Sequence, residues 1–335
     1  MAVQDFHRCP HPPILGQRSH RQHGSSLGFA IVTVVLADGK KTIDTLLATK
    51  NQSKTASLLK LTFDQVHGVM ERSVKRGLAR RNPKHEYHHV CMDEKSYKKG
   101  HKYISILYDG SDGHVIDVAE GRTKDSVDEL CTKALTEGQR KSVRTICTDM
   151  WDAFIYGAQE YFPNASHCHD LYHCVTYLNE AVDKVRKREV REHGILKKSK
   201  YLWLKDQSKY TDKELARFKE LEDMNFQVSQ AWKVKELFRD IMHIHYEGDM
   251  DAADTFMMWF NDAVSYNIEE INGVAFMFKR HLKAIIRAMI TGANNGKAER
   301  MNGSIQEIKT IGRGYRDAER FRIAILFYHG KLELY

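Results

Sequence analysis

The spacing of apolar residues divides the chain into a helical opening, a run of strands, a long helical middle and a closing helix. From Lys41 the period is helical, with Ile43, Leu46 and Leu47 on one stripe and a second short helix over 53–59. Lys60-Leu61-Thr62 reads as a turn with Thr62 as N-cap. A third helix follows from Phe63 to about Lys75, with Phe63, Val66, Met70 and Val74 inward and Gly77 as its stop. Short helix, tight turn and longer helix form a helix-turn-helix, whose last helix enters a DNA major groove. The cations Lys75, Arg76, Arg80, Arg81 and Lys84 come directly after it, where they are placed to meet phosphates.

After Pro83 the period shortens to that of strands. His88 to Met92 ends at Asp93-Glu94, and Tyr103 to Leu107 and His114 to Ala119 are joined by the turn Asp109-Gly110-Ser111-Asp112-Gly113. A helix over 124–135 follows, then a strand from Val143 to Cys147 ending at Thr148-Asp149, then a helix from Trp151 to Tyr161 stopped by Pro163. Three strands in hairpin order, a helix, a strand and a helix open an RNase H-like α/β fold. From Leu171 to about Met289 nearly everything reads as helix, with stripes at Leu215, Phe218 and Leu221, at Leu237, Ile241 and Ile244, and at Phe256, Trp259, Phe260 and Val264. These are core stripes of a large helical insertion.

The closing helix starts after Asn294, a candidate N-cap. Glu299, Asn302, Gln306, Lys309 and Arg313 fall within roughly 80° of one another at helical spacing. Met301, Ile305, Ile308 and Ile311 fall mostly on the other side. One face suits a core; the other sets a carboxylate ahead of two cations, an order that suits a metal ion at one end and a phosphate backbone at the other.

Composition narrows the picture. The chain has 335 residues, enough for two or three domains, and 52 Lys and Arg against 44 acids give a net charge of +8, which permits nucleic-acid binding. No run approaches the roughly 20 apolar residues of a spanning helix, so no membrane role is expected. The six cysteines, Cys9, Cys91, Cys131, Cys147, Cys168 and Cys174, form no C-x-x-C pair and are expected as reduced thiols of a cytoplasmic protein. Residues 1–26 are rich in His, Arg and Pro without periodicity, and the apolar run at 29–37 suits a strand or a short buried helix. Neither His7, Cys9, His11, His20 and His23 nor the stretch Cys168-His169-Asp170-Leu171-Tyr172-His173-Cys174 has the spacing of a usual zinc site. In the second stretch Asp170 and His173 are expected to brace a site or touch DNA beside it.

Asp93 ends the first predicted strand and Asp149 the fourth, where α/β sheets form their sites. If these strands are neighbours, Glu299 can close a third corner. Three ionised carboxylates repel one another, and divalent cations remove that cost. Carboxylate oxygens suit two Mg²⁺ or Mn²⁺ ions, which serve in-line phosphodiester displacement. Glu94 and Asp152 are close competitors for the same roles.

These segments resemble the ISL3 family of DDE transposases of bacterial insertion sequences. Met92-Asp93-Glu94-Lys95-Ser96 with Lys98-Lys99-Gly100-His101-Lys102-Tyr103 resembles the family's first-aspartate strand. Gly121-Arg122, Thr148-Asp149 with Trp151 and Tyr156, and Asp170-Leu171-Tyr172-His173 resemble later blocks. Asn295-Gly296-Lys297-Ala298-Glu299-Arg300-Met301-Asn302, then Lys309 and Arg313-Gly314-Tyr315, resembles the third-acid block, the most specific. Two departures stand out. Leu171-Tyr172 replaces the family's usual Arg-Phe, and only Cys9 remains where the family carries a cysteine-rich zinc ribbon, so a truncated or replaced N-terminus is expected.

The resemblance implies a metal-dependent transposase that cuts and joins double-stranded DNA at inverted repeats and target, as a homo-oligomer, associated with the nucleoid when on DNA. Asp93, Asp149 and Glu299 would be catalytic and metal-binding. Lys75, Arg76, Arg80, Arg81, Lys309 and Arg313 would touch DNA, with Asp170, His173 and Asn302 in support. The expected division is 1–40 an N-terminal segment, 41–84 the helix-turn-helix, 85–174 the first part of the core, 175–290 the insertion and 291–335 the closing helices. The alternatives are a catalytically inactive or domesticated DNA-binding remnant and a general RNase H-like nuclease.

Overall fold

The computed structural model describes residues 39–335. The His-rich start and the apolar run at 29–37 lie outside the described residues. Three helices come first: α1 (residues 39–49), α2 (Gln52–Leu59) and α3 (Phe63–Ala79). The Asn51 side chain accepts the Lys54 N–H at the start of α2. Thr62 and Gln65 form a reciprocal capping box at the start of α3. Ile43, Leu46, Val66, Met70 and Val74 are buried as their spacing predicts. Phe63 is not: it opens α3 and stands 43% exposed. Nor does Gly77 end the helix. A Cβ there would lie 2.6 Å from the Leu332 Cβ, so the glycine admits the C-terminal segment against α3.

Five strands, β1 (His89–Lys98), β2 (Lys102–Asp109), β3 (Val115–Glu120), β4 (Thr145–Thr148) and β5 (Ser166–His169), form one mixed sheet in the order β3-β2-β1-β4-β5. The β1–β2 and β2–β3 pairs are antiparallel, and β1–β4 and β4–β5 are parallel. Strand β1 runs five residues past its predicted end at Asp93, because β2 continues to pair with it through Lys98. β5 has no counterpart in the sequence reading; four residues reading Ser-His-Cys-His carry too little apolar signal to declare a strand.

Alternation along β1 sends Val90 and Met92 to one core and Cys91 to the other. The Val90 side packs against α4 (Lys124–Ala134) and α6 (Asp152–Tyr161), through Val127, Leu130 and Phe154. A short helix, α5 (Glu137–Ser142), precedes β4. The Cys91 face belongs to the larger core, which continues through α7 (Leu171–Glu189) into the helical middle. That middle comprises α8 (Lys200–Leu204), α9 (Asp212–Glu222), α10 (Gln227–Ile241), α11 (Asp249–Ser265), α12 (Glu269–Arg280) and α13 (Leu282–Thr291). Trp203, Phe218, Phe238, Trp259 and Phe278 fill it. The stripe predicted at Leu237, Ile241 and Ile244 is displaced: Leu237 and Ile244 are exposed, and Val234 and Phe238 face inward with Ile241.

The chain closes with α14 (Gly296–Ile311) and α15 (Ala318–His329). Helix α14 lies against β1 and α15 against β3 and α3. Asn295 rather than Asn294 precedes the first helical residue, while the Asn294 side chain accepts the Gly296 N–H at 2.9 Å. Among the described residues no helix is long and apolar enough to cross a membrane.

Candidate active site

The β1–β4 register pairs Met92 with Thr148, so Asp93 and Asp149 each stand one residue beyond the same rung of neighbouring parallel strands. Ile305 and Ile308 bury one face of α14, which turns Glu299 and Asn302 toward the end of β1. One cleft is thus lined by Asp93, Asp149 and Glu299, with Glu94, His173 and Asn302 beside them. The three acids of the sequence reading share this cleft although they are up to 206 residues apart (299 − 93).

Their electrostatics reflect crowding. Burial pushes the Asp93 carboxyl above its ordinary range, and the Asp170 charge adds to this. The charge of His173, the Glu94 N–H at 2.7 Å and the Asn302 amide at 2.7 Å oppose it. Asp149 is pushed up to about 6, by burial first and by the charge of Asp93, against the Trp151 N–H that it accepts at 3.0 Å. Glu299 is raised by burial and by the neighbouring Asp170 and Asp93 charges. His173 rises to about 9: its Nδ1 meets Asp170 Oδ2 at 3.0 Å, and Asp93 and Asp149 favour its cationic form. Three carboxylates held above their usual range beside a raised imidazole mark a site built to hold positive charge.

Asp170, His173 and Glu299 bring ligand atoms within 4.8 Å of one another, a tighter group than the one predicted from the sequence. Asp170 also caps α7, accepting the Tyr172 N–H at 3.1 Å. The donors lining the cleft are mostly carboxylate oxygens, a set that fits a hard divalent cation such as Mg²⁺ or Mn²⁺. Cys168 and Cys174, of the same stretch, are buried free thiols.

The two competing acids separate. Glu94 lines the cleft but is held by Arg122 at 2.8 Å, and Asp152 sits exposed in the first turn of α6. The Arg122 guanidinium lies between the Tyr103 and Trp151 rings, 4.1 and 4.4 Å from their centroids, and the Trp151 indole N–H donates to the Arg122 carbonyl at 2.8 Å. Tyr108 donates to Asn302 Oδ1 at 2.7 Å, which leaves the Asn302 amide N–H to Asp93. No spacing in the sequence points to Tyr108, since its partner is 194 residues away.

The predicted DNA-binding cations divide. Arg81 gives its guanidinium to the carbonyls of Ile116, Val115 and Gly330, and Arg76 and Arg80 donate to those of Leu334 and Tyr335. Lys75 is an exposed partner of Glu71, and Lys309 donates to the Ser96 carbonyl at 2.7 Å. Arg313 lies beyond the end of α14, exposed at φ 54°.

The sequence profile of the ISL3 transposases matches residues 90–325. The chain belongs to the ISL3 family of DDE transposases. It is 24% identical over 288 residues to the transposase of insertion sequence element IS1001 from Bordetella parapertussis, covering 84% of this chain and 70% of that protein. It is 23% identical over 258 residues to the transposase of IS1557 from Mycobacterium tuberculosis, spanning 69% of this chain and 57% of that relative. Family membership covers all three acids and the Asp170–His173 pair within its matched span.

Proposed function

We propose that this chain cuts and joins DNA at insertion-sequence ends, with Asp93, Asp149 and Glu299 as its catalytic carboxylates. The observation that carries the reading is the meeting of these acids, remote in sequence, in one cleft at the edge of an α/β core. The strand order, with three antiparallel strands followed by two parallel ones, supports an RNase H-like core spanning 85–174 and 291–335 and interrupted by helices over 175–290.

Asp93, Asp149 and Glu299 are the residues that would hold two Mg²⁺ or Mn²⁺ ions. Such ions stabilise the attacking and leaving oxygens of an in-line phosphodiester displacement. Asn302 fixes the direction of the Asp93 carboxylate through its 2.7 Å hydrogen bond, and Tyr108 fixes Asn302. Asp170 holds the His173 ring by its Nδ1, keeping a cation against the acids. Lys309 stands further along α14 and Arg313 in the loop beyond its end, and both would meet the phosphate backbone.

Residues 41–84 serve as a helix-turn-helix that binds duplex DNA, with Lys75, exposed beside Glu71, placed to reach phosphate. The protein works in the cytoplasm on the nucleoid, as a homo-oligomer that brings ends and target together. A DNA-binding remnant without catalysis is the second reading; it is favoured by the tight group of Asp170, His173 and Glu299, which leaves out both aspartates of the sequence triad.

The test is a strand-transfer assay with Mg²⁺ on a duplex ending in the element's inverted repeats. Wild-type protein should nick and join, and Glu299→Ala should fall by at least about two orders of magnitude. Full activity in Glu299→Ala would discard the triad. Repeat binding without any nicking by the wild type would favour the remnant.

A further inference from the structure

A second cleft lies away from the acids, between the start of α2 and α3 and the loop joining α14 to α15. It encloses about 650 Å³, within the roughly 300–1,000 Å³ of ligand pockets. Its walls carry five cations, Lys50, Lys54, Arg313, Arg316 and Arg320, and no carboxylate. Lys50 faces Glu307 at 3.5 Å and Arg320 faces Asp64 at 3.4 Å, whereas Lys54, Arg313 and Arg316 are exposed and form no ion pair among the described residues.

The floor is aromatic. Phe63 is 43% exposed, and its ring lies nearly parallel to that of His67, with an interplanar angle of 5° and centroids 6.5 Å apart. The Arg320 guanidinium stands 6.0 Å from the Phe63 ring centroid. His67 is 7% exposed, and its Nδ1 is buried with no hydrogen-bond partner among the described residues. A buried ring nitrogen left without a partner is costly, and a ligand that reaches it relieves that cost.

The cleft is also held in shape. Asn51 caps α2 with its side-chain oxygen while its amide donates to the Ile311 carbonyl at 3.2 Å, tying the α1–α2 turn to the end of α14. Gly314 at φ 91° lets the loop turn back and present Arg313 and Arg316 from the opposite side.

A cationic rim over an exposed aromatic ring and a buried, unsatisfied ring nitrogen is the chemistry of an unpaired nucleotide: phosphate at the rim, base against the ring, base edge to the nitrogen. We propose that this cleft binds an unpaired nucleotide of the DNA substrate, with Arg313 and Arg316 on its phosphate, Phe63 stacking its base and His67 Nδ1 on the base edge. Paired DNA cannot enter, because its bases are stacked and its edges engaged. The inference rests on DNA being the substrate and needs none of the catalytic carboxylates.

The experiment is fluorescence anisotropy with the full chain in magnesium-free buffer. A blunt duplex is compared with the same duplex carrying a short single-stranded tail. The tail should tighten binding by roughly tenfold, the scale of one stacked base. Phe63→Ala should erase that gain, so that the variant binds the two duplexes equally, and Phe63→Trp should keep it. Phe63 is exposed, so neither variant threatens the fold. Equal wild-type affinity for the two duplexes, or a gain that survives Phe63→Ala, overturns the proposal, as does wild-type binding of the tailed duplex by the Arg313→Ala/Arg316→Ala double variant. Strand cleavage plays no part in the measurement. A tail preference in a protein inert for strand transfer would sink the catalytic reading alone, and equal binding in an active protein would sink the nucleotide cleft alone.

Discussion

Asn302 on α14 donates its side-chain amide to Asp93 on β1 at 2.7 Å, across 209 residues of sequence. The bond fixes which way the carboxylate faces, and the amide is itself fixed because Tyr108 donates to its oxygen at 2.7 Å. Tyr108 is fully buried, so its hydroxyl has no water to fall back on.

A chain of two hydrogen bonds acting on one carboxylate should show coupled effects. Asn302→Ala frees Asp93 to rotate and should lower activity by about 10–100-fold, the usual cost of losing a group that orients a metal ligand. Tyr108→Phe leaves the Asn302 oxygen without its buried donor and should cost about 1–3 kcal/mol in stability, with a smaller loss of activity. The double variant should lose clearly less than the sum, since both changes break one path. Urea unfolding and strand-transfer rates on the four proteins check this, and strict additivity in both would refute the relay.

Asp149 supplies a pH dependence. Its folded value of about 6 lies above its ordinary 3.8, so between these values the folded chain binds a proton that the unfolded chain releases. Without metal, the stability that protonating this group contributes is full below 3.8 and is lost as pH rises through about 6, above which its charged form opposes folding. Divalent cations compete with that proton. The rise in melting temperature produced by Mn²⁺ should be full at pH 8, shrink through pH 6 and vanish near pH 5. Asp149→Asn should be more stable than wild type in chelator at pH 8, by up to about 3 kcal/mol for two pKa units, and should lose most of the Mn²⁺ response. Differential scanning fluorimetry across pH reads both effects, and a response to Mn²⁺ independent of pH between 5 and 8 would count against Asp149 as a ligand.

Arg122 joins electrostatics to stacking. It pairs with Glu94 at 2.8 Å and lies between the rings of Tyr103 and Trp151. Arg122→Ala leaves Glu94 without its cation at the cleft wall and uncovers both rings, so a loss of about 2–4 kcal/mol is expected. Arg122→Lys should restore only a minor part, because an ammonium cannot fill a flat slot between two rings or present a planar fork. Chemical denaturation measures this; full rescue by lysine would mean that charge alone matters.

Legibility in the sequence followed the range of each signal. The strands β1 to β4 and the helices α3, α4 and α6 announce themselves through short-range periodicity, caps and prolines. Glu299 and Asn302 were readable because helical spacing sets them on the face opposite Ile305 and Ile308. What escaped was long-range or depended on packing. The bond from Tyr108 to Asn302 spans 194 residues, and β5 is a strand because it adds to β4, with only two fully buried residues of its own. Phe63 was placed in the core by its spacing, yet it begins its helix and stands 43% exposed, with only His67 and Arg320 beside its ring among the described residues. The basic run after α3 was read as one DNA-facing set, because sequence cannot tell a cation facing solvent from one that carbonyls have captured.

That last distinction yields a prediction about the run itself. Arg81 is half-buried, desolvation lowers its pKa, and it donates at 2.6, 3.4 and 3.3 Å to the carbonyls of Ile116, Val115 and Gly330. It thereby joins the end of α3 to β3 and to the segment after α15. Arg81→Ala would strand those acceptors and should cost about 2–4 kcal/mol of stability. Lys75, six residues earlier on the exposed face of α3, has among the described residues only an i,i+4 partner in Glu71, a pairing worth about 0.3–0.5 kcal/mol. Lys75→Ala should therefore leave the melting temperature within a degree or so of wild type. If α3 faces DNA, the same change should weaken duplex binding and reduce the salt slope by about one phosphate contact. Thermal unfolding and salt titrations of DNA affinity on both variants separate the two roles. A stable Arg81→Ala protein with a reduced salt slope would return Arg81 to the DNA-binding surface.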